Sequence, residues 1–309
     1  MKTKTWSGWA TRFWAVVKYE LLWNIRKKKF IGVMVLAFAL ATLSLVLPVI
    51  LYNVVGGYLP QKPDYVISTG AGIGGMGMFL FAVAIAMNSI SGEFESGTIL
   101  PLLTKPVSRT TIFVGKLFAA FVTLLAAYTS LIVYMAVGGW IVYGPQNNLQ
   151  LLPLSLLGTL ISTFVWVAIV IFLGTLSKNS LLAALGTFGI YMALTISSSI
   201  ISAFTDQAWI LNYLPGSGAA GYLKDGEKII GGISTGTDSI ASNMINCVLY
   251  PSTEVAYLKF SFAHGTVFTE LFREPLWFVL LRSLIVAFAY IIGLFAIAWY
   301  SFKRAQILE

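Results

Sequence analysis

The chain has 309 residues, is 58% hydrophobic and only 10% charged, and carries a formal net charge of +8. Soluble domains average about 25% charged residues, so a chain this poor in charge cannot cover a water-facing surface, and lipid must be its main solvent. One cysteine and one histidine exclude an internal disulfide and a His/Cys metal cluster.

Residues 1–29 come first and hold eight of the 20 Lys/Arg. Trp6, Trp9, Phe13 and Val17 fall at i, i+3, i+7 and i+11, on one face of a helix. A basic, Trp-bearing amphipathic helix before a span reads as lying in the headgroup plane. The basic residues fit orientation by positive charge and attraction to anionic lipid, and nucleic acid is not an expected partner. No cleavable leader is expected, because the first apolar run is long enough to span.

A spanning helix needs about 20 mostly apolar residues. Six segments qualify: 30–52, with Pro48 as a kink, 66–91, 117–143, 151–176, 180–204 and 276–301. Lys116 enters the third span and is expected to snorkel to the interface. With the N-terminus inside, 14 basic residues fall on the inner side and 6 on the outer. Both termini are therefore expected in the cytoplasm, with 302–309 as a cytoplasmic tail and the spans in the cell membrane. The outer segment 205–275 is 71 residues long and is expected to form a small cap or partly re-entrant helices. The fold class expected is all-α, a polytopic membrane protein of six transmembrane helices with an N-terminal interfacial amphipathic helix.

The connector after the second span is the most informative stretch. Ser91-Gly92-Glu93-Phe94-Glu95-Ser96-Gly97-Thr98 leaves the membrane and a short apolar turn follows. Pro106-Val107-Ser108-Arg109 breaks it, and Gly115-Lys116 opens the next span. This pattern resembles the membrane subunits of ABC-2 type transporters, as do the N-terminal helix, the six spans and the ending Phe302-Lys303-Arg304-Ala305. The resemblance implies a coupling element at 92–111 that sits in a groove of a separate ATPase subunit. Glu93, Phe94, Glu95, Gly97 and Thr98 would belong to it, and Pro106, Ser108 and Arg109 would shape its exit. It also implies a second permease copy, identical or related, and export more often than import.

The chain has no G-x-x-x-x-G-K-[ST] phosphate loop. No cofactor is expected on it, then, and ATP and Mg would belong to the partner, leaving this chain non-catalytic. Gly72-Ile73-Gly74-Gly75-Met76-Gly77 matches G-x-G-x-x-G but lies inside an uncharged span, where no nucleotide-binding βαβ unit exists. Gly70 and Gly74 instead have small-xxx-small spacing, which suits close helix packing within the bundle or at a dimer interface. Arg282 lies roughly 9 Å inside the last span. It reads equally as a functional intramembrane charge or as a snorkelling residue near Glu274. Ser217 lies in a Gly-Ser-Gly turn with no base beside it, and Ser197–Ser199 suit either a polar path or helix packing.

Two functions remain. The first is the permease subunit of an ATP-driven exporter, whose apolar second to fifth spans suit an apolar or amphipathic cargo. The second is a secondary transporter or channel, disfavoured because neither a midplane charge nor paired broken helices are evident.

Overall fold

The computed structural model describes residues 8–55, 62–69, 74–97, 107–205, 208–260 and 268–304. Among them, six helices are long and apolar enough to cross a membrane. The chain begins with α1 (Trp9–Arg26) and breaks at Lys27, whose extended backbone (ψ 118°) turns the chain into α2 (Lys28–Val55). A single turn α3 (Tyr65–Ser68) precedes α4 (Gly75–Ala86) and the short α5 (Ser91–Glu95). Then come α6 (Arg109–Tyr143), α7 (Leu152–Ser177) and α8 (Ser180–Phe204). A mixed segment holds strands β1 (Ala220–Asp225) and β2 (Lys228–Ser234), helix α9 (Ile240–Leu249), and strands β3 (Glu254–Phe260) and β4 (Phe268–Pro275). The last span is α10 (Leu276–Arg304).

The fold is mostly helical, as expected, with two departures from the expected element boundaries. The second span is not one helix over 66–91. Its helical part runs over 75–95, α4 followed by a turn and α5, 21 residues that at 1.5 Å each cover about 31 Å. The helix starts only after Gly74, whose backbone is extended (ψ 175°), and glycine disfavours helix interiors by about 1 kcal/mol. The other departure lies in 205–275, where four antiparallel strands in the order β2-β1-β3-β4 form a sheet beside α9. A local signal marks its first hairpin. Asp225 pairs with Lys228 across the two-residue turn Gly226-Glu227, and Gly226 takes φ +58°, a conformation that favours glycine.

Helix α7 is the central pillar. Across its span 67% of residues are buried, against 11% for α2, so α7 is packed on most of its faces while α2 faces lipid. Between lipid-solvated helices the hydrophobic effect supplies little, and small side chains and hydrogen bonds decide packing. Gly158 lets α9 approach so closely that a Cβ there would lie 2.4 Å from the Ala241 Cα. The Tyr128 hydroxyl of α6 bonds Thr163 at 2.7 Å, and Trp166, fully buried, donates to Asp238 at 2.9 Å.

The sheet segment is stitched to the bundle by three further contacts. Ser162 donates to the Thr237 carbonyl at 2.6 Å, Ser283 to the Thr235 carbonyl at 2.8 Å, and Arg282 to the Tyr257 hydroxyl at 2.7 Å. Both α7 and α10 therefore carry it. The bundle thus has a sheet end and an α1 end.

Candidate functional site

The α1 end gathers most of the residues that the sequence singled out. Helix α1 turns Phe13, Val17, Glu20 and Asn24 toward the bundle, a stripe at helical spacing. Its other face leaves Trp9, Trp14, Tyr19 and Trp23 more than half exposed, as an interfacial helix requires. Phe13 packs on Phe118 with ring centroids 5.7 Å apart, and Gly115 admits Val16 against α6.

Beneath this helix lies a charge cluster. Lys116 does not snorkel. It is 4% exposed, and its Nζ pairs with Glu20 and, at 2.8 Å, with Glu93. The reason is proximity: α1 and α5 bring two carboxylates to the lysine, and pairing there outweighs reaching water. Lys27 stands beside them, donating to the Asn24 amide oxygen at 2.9 Å and the Ile85 carbonyl at 3.2 Å. Its burial pushes the ammonium down to about 8, against the opposing pull of Glu20. Two lysines and two glutamates make the cluster formally neutral, which is what makes its burial tolerable.

Helix α5 is the hub of this end. Glu93 faces inward to Lys116, and Glu95 accepts from the Ser180 backbone N–H at 3.0 Å and from its hydroxyl. That places a carboxylate at the N-terminus of α8, where the helix dipole favours it. Phe94 meets Phe302 of α10 edge-on at 6.2 Å, and Lys178 lies over its ring at 5.8 Å. One short helix therefore touches the helices α6, α8 and α10, and α1 through Lys116. Gly97 ends it with φ +67°, donating to the Phe94 carbonyl, a left-handed stop that suits glycine.

Ser108 caps α6 by accepting from the Thr111 N–H at 3.1 Å. Arg109 donates to the Lys303 carbonyl at 2.8 Å, where a cation suits the C-terminal end of α10. Thr98 and Pro106 lie outside the described residues.

The remaining candidates lie elsewhere. Gly70 is outside the described residues. Gly74 is the exposed residue before α4, with nothing among the described residues within 4 Å of a Cβ placed there. Its neighbour Gly75 makes the close approach, 2.6 Å from the Asp238 carboxylate to a Cβ there. Arg282 is buried and bonds Glu274 at 3.1 Å, so its partner is the one the sequence suggested, though under the sheet rather than among headgroups. Tyr257 joins them, and burial pushes its hydroxyl up to about 12. Ser217 sits in a loop whose carbonyl accepts from Gly236 at 2.9 Å. The residues missed by sequence reasoning are Glu20 and Ser180, whose partners lie 96 and 85 positions away.

Asp238 gives a pH dependence. Burial pushes its carboxyl up to about 6, with the Trp166 N–H opposing. A folded value above the unfolded one (about 3.9) means the stabilisation is full below pH about 4 and is lost as pH rises through about 6. Asp238→Asn keeps an acceptor for Trp166 without the charge. It is expected to gain roughly 1–3 kcal/mol at pH 8 and nothing at pH 4, read from thermal melts in detergent. Equal shifts at both pH values would remove the charge as the cause.

Six helices long and apolar enough to span, preceded by an interfacial helix, mark a multi-pass membrane protein. The family model described as ABC-2 family transporter protein matches residues 14–307, and the chain belongs to that family. It is a membrane permease of an ABC transporter, a class that works with an ATPase partner. A comparison with curated proteins finds no match.

Proposed function

We propose that this permease is an exporter subunit that receives the motion of a separate ATPase at its α1 end and works as a pair of permease copies. In this reading residues 92–111 are the coupling element, the α1 end faces the cytoplasm, both termini lie there, and the protein resides in the cell membrane. ATP and Mg are held by the partner, and this chain performs no catalysis. The observation that carries the reading is the position of α5. A push on the segment that follows it reaches α1 and α6 through the Glu93–Lys116 pair, α8 through Glu95–Ser180 and α10 through Phe94–Phe302. Side-chain pairs with two arrangements are the physical means by which such motion is transmitted.

The reading makes a specific demand. Glu93 faces inward to Lys116, and Glu95, though exposed, is held by Ser180, so in this reading they transmit force within the permease and do not bind the partner. Glu95→Gln, in the permease reconstituted with an ATPase that copurifies with it, is expected to lower permease-stimulated ATP hydrolysis about fivefold, a loss near 1 kcal/mol. The ATPase should still copurify at unchanged stoichiometry. Loss of the complex would make Glu95 a docking residue instead. Unchanged hydrolysis would remove α5 from the path, and solute movement on an ion gradient without any ATPase would favour a secondary transporter.

A further inference from the structure

At the sheet end a cavity of about 990 Å³ opens between α3, the last turns of α8, the β1–β2 hairpin and α9. Pockets of about 300–1,000 Å³ hold drug-sized ligands, so there is room for several sugar-sized rings. Its wall is unusual in chemistry. Among the described residues that line it, nine are serine or threonine, and the one charged side chain is Asp64, exposed at the rim.

Five of the nine hydroxyls are committed as donors, Ser68 among them to the Tyr65 carbonyl at 3.0 Å. Thr195 donates to the Tyr191 carbonyl at 2.8 Å, and Ser198 and Ser199 to the Thr195 carbonyl at 3.1 and 3.0 Å. Ser242 does the same to Ser239 at 2.9 Å. With their protons spent on backbone, these groups offer only lone pairs to the cavity. The Ser202 oxygen, which also lines it, is buried with no partner among the described residues.

A wall rich in acceptors, with no cation among the described residues that line it, disfavours phosphate or carboxylate ligands. A cation fares little better, because a buried charge needs a close counter-charge, and the one carboxylate is exposed at the rim. An uncharged ligand rich in hydroxyl donors matches what is left.

The floor points the same way. Gly231 and Gly232 lie in mid-strand β2, where glycine weakens a sheet and often marks close approach by a ligand. Neither has positive φ, and a Cβ at either would have nothing within 4 Å. No backbone conformation or neighbouring atom in the fold calls for glycine there, and its effect is a bare shelf. Tyr222 and Tyr250 line the same cavity and supply flat apolar faces with polar tips, which suit sugar rings.

We propose that this cavity is a binding site for an uncharged oligosaccharide. The site does not depend on how the permease is driven, and it is tested on the permease alone. Full-length protein in nanodiscs is titrated calorimetrically with maltotriose and chitotriose, and with inorganic phosphate, spermidine and trialanine for comparison. At least one trisaccharide is expected to bind, and none of the other three. Gly231→Trp, whose Cβ would have nothing within 4 Å, places a large side chain on the floor and is expected to weaken binding about tenfold or more. Should that variant fold poorly, the Ser198→Ala/Ser199→Ala double variant removes two acceptors without adding bulk and is expected to weaken binding by a similar factor. Absence of binding by both trisaccharides overturns the proposal, as does undiminished affinity in a folded variant or equal affinity for any comparison ligand.

Discussion

Replacing Lys116 with methionine is expected to destabilise the protein by about 3–5 kcal/mol, the usual cost of leaving a buried charge without its partner. Lys116 is 4% exposed and stands between Glu20 and Glu93, which are themselves mostly buried. Without the ammonium, two carboxylates face each other across a site that water reaches poorly, and Lys27 alone opposes them. A second oxygen of Glu93 already lacks a partner among the described residues, so the site has no spare donor to offer. The triple variant Glu20→Gln/Lys116→Met/Glu93→Gln tests the cause. It removes all three charges together, and a buried ion cluster replaced as a unit often costs little. The triple variant should therefore melt well above the single one, by on the order of 10 °C, in detergent at neutral pH. If the triple variant melts as low as the single one, packing of the lysine stem and not its charge is what holds α1, α5 and α6 together.

The second large effect is steric. Gly158→Leu is expected to cost about 3 kcal/mol or to prevent folding, because α9 cannot move aside without breaking what it carries. The first added atom would meet Ala241 at its Cα and backbone nitrogen, at 2.4 and 2.7 Å, where no rotamer change relieves the clash. Shifting α9 would pull the neighbouring turn away from the bonds that Ser162 and Trp166 make to Thr237 and Asp238. Gly158→Ala should already lower the melting temperature by several degrees. Gly189→Ala is the control within the same bundle, since a Cβ there has nothing within 4 Å. It should be neutral or slightly stabilising, given the better helix propensity of alanine. Similar losses at both positions would mean that glycine flexibility, not the α7–α9 contact, is what the bundle needs.

These two predictions rest on different kinds of legibility. Gly158 lies in a stretch that sequence reading treats as one more apolar span, and only the arrival of α9 distinguishes it from Gly189. Lys116 was visible as a lone charge at a span entrance, and the usual expectation for such a residue is escape to the headgroups. The expectation failed because a partner 96 positions earlier in the chain reached it first. Glu95 shows the same limit. Its motif was legible, while its role as the acceptor for Ser180 was not. Arg282 shows the opposite case, since Glu274 lies eight positions away, two helical turns, and could be named beforehand.

What the sequence by itself determined is what local chemistry controls. The count of six spans follows from the apolar run each needs to cross hydrocarbon. The cap at Ser108 and the stop at Gly97 follow from side-chain and backbone preferences acting within a turn. What only the tertiary structure decided is where distant polar groups meet. The inward aim of Glu93, the sheet over 220–275 and the hydroxyl-lined cavity beside it all depend on pairings across tens of residues. In hydrocarbon those pairings are set by which buried donor finds which acceptor, and no periodicity along the chain encodes that choice.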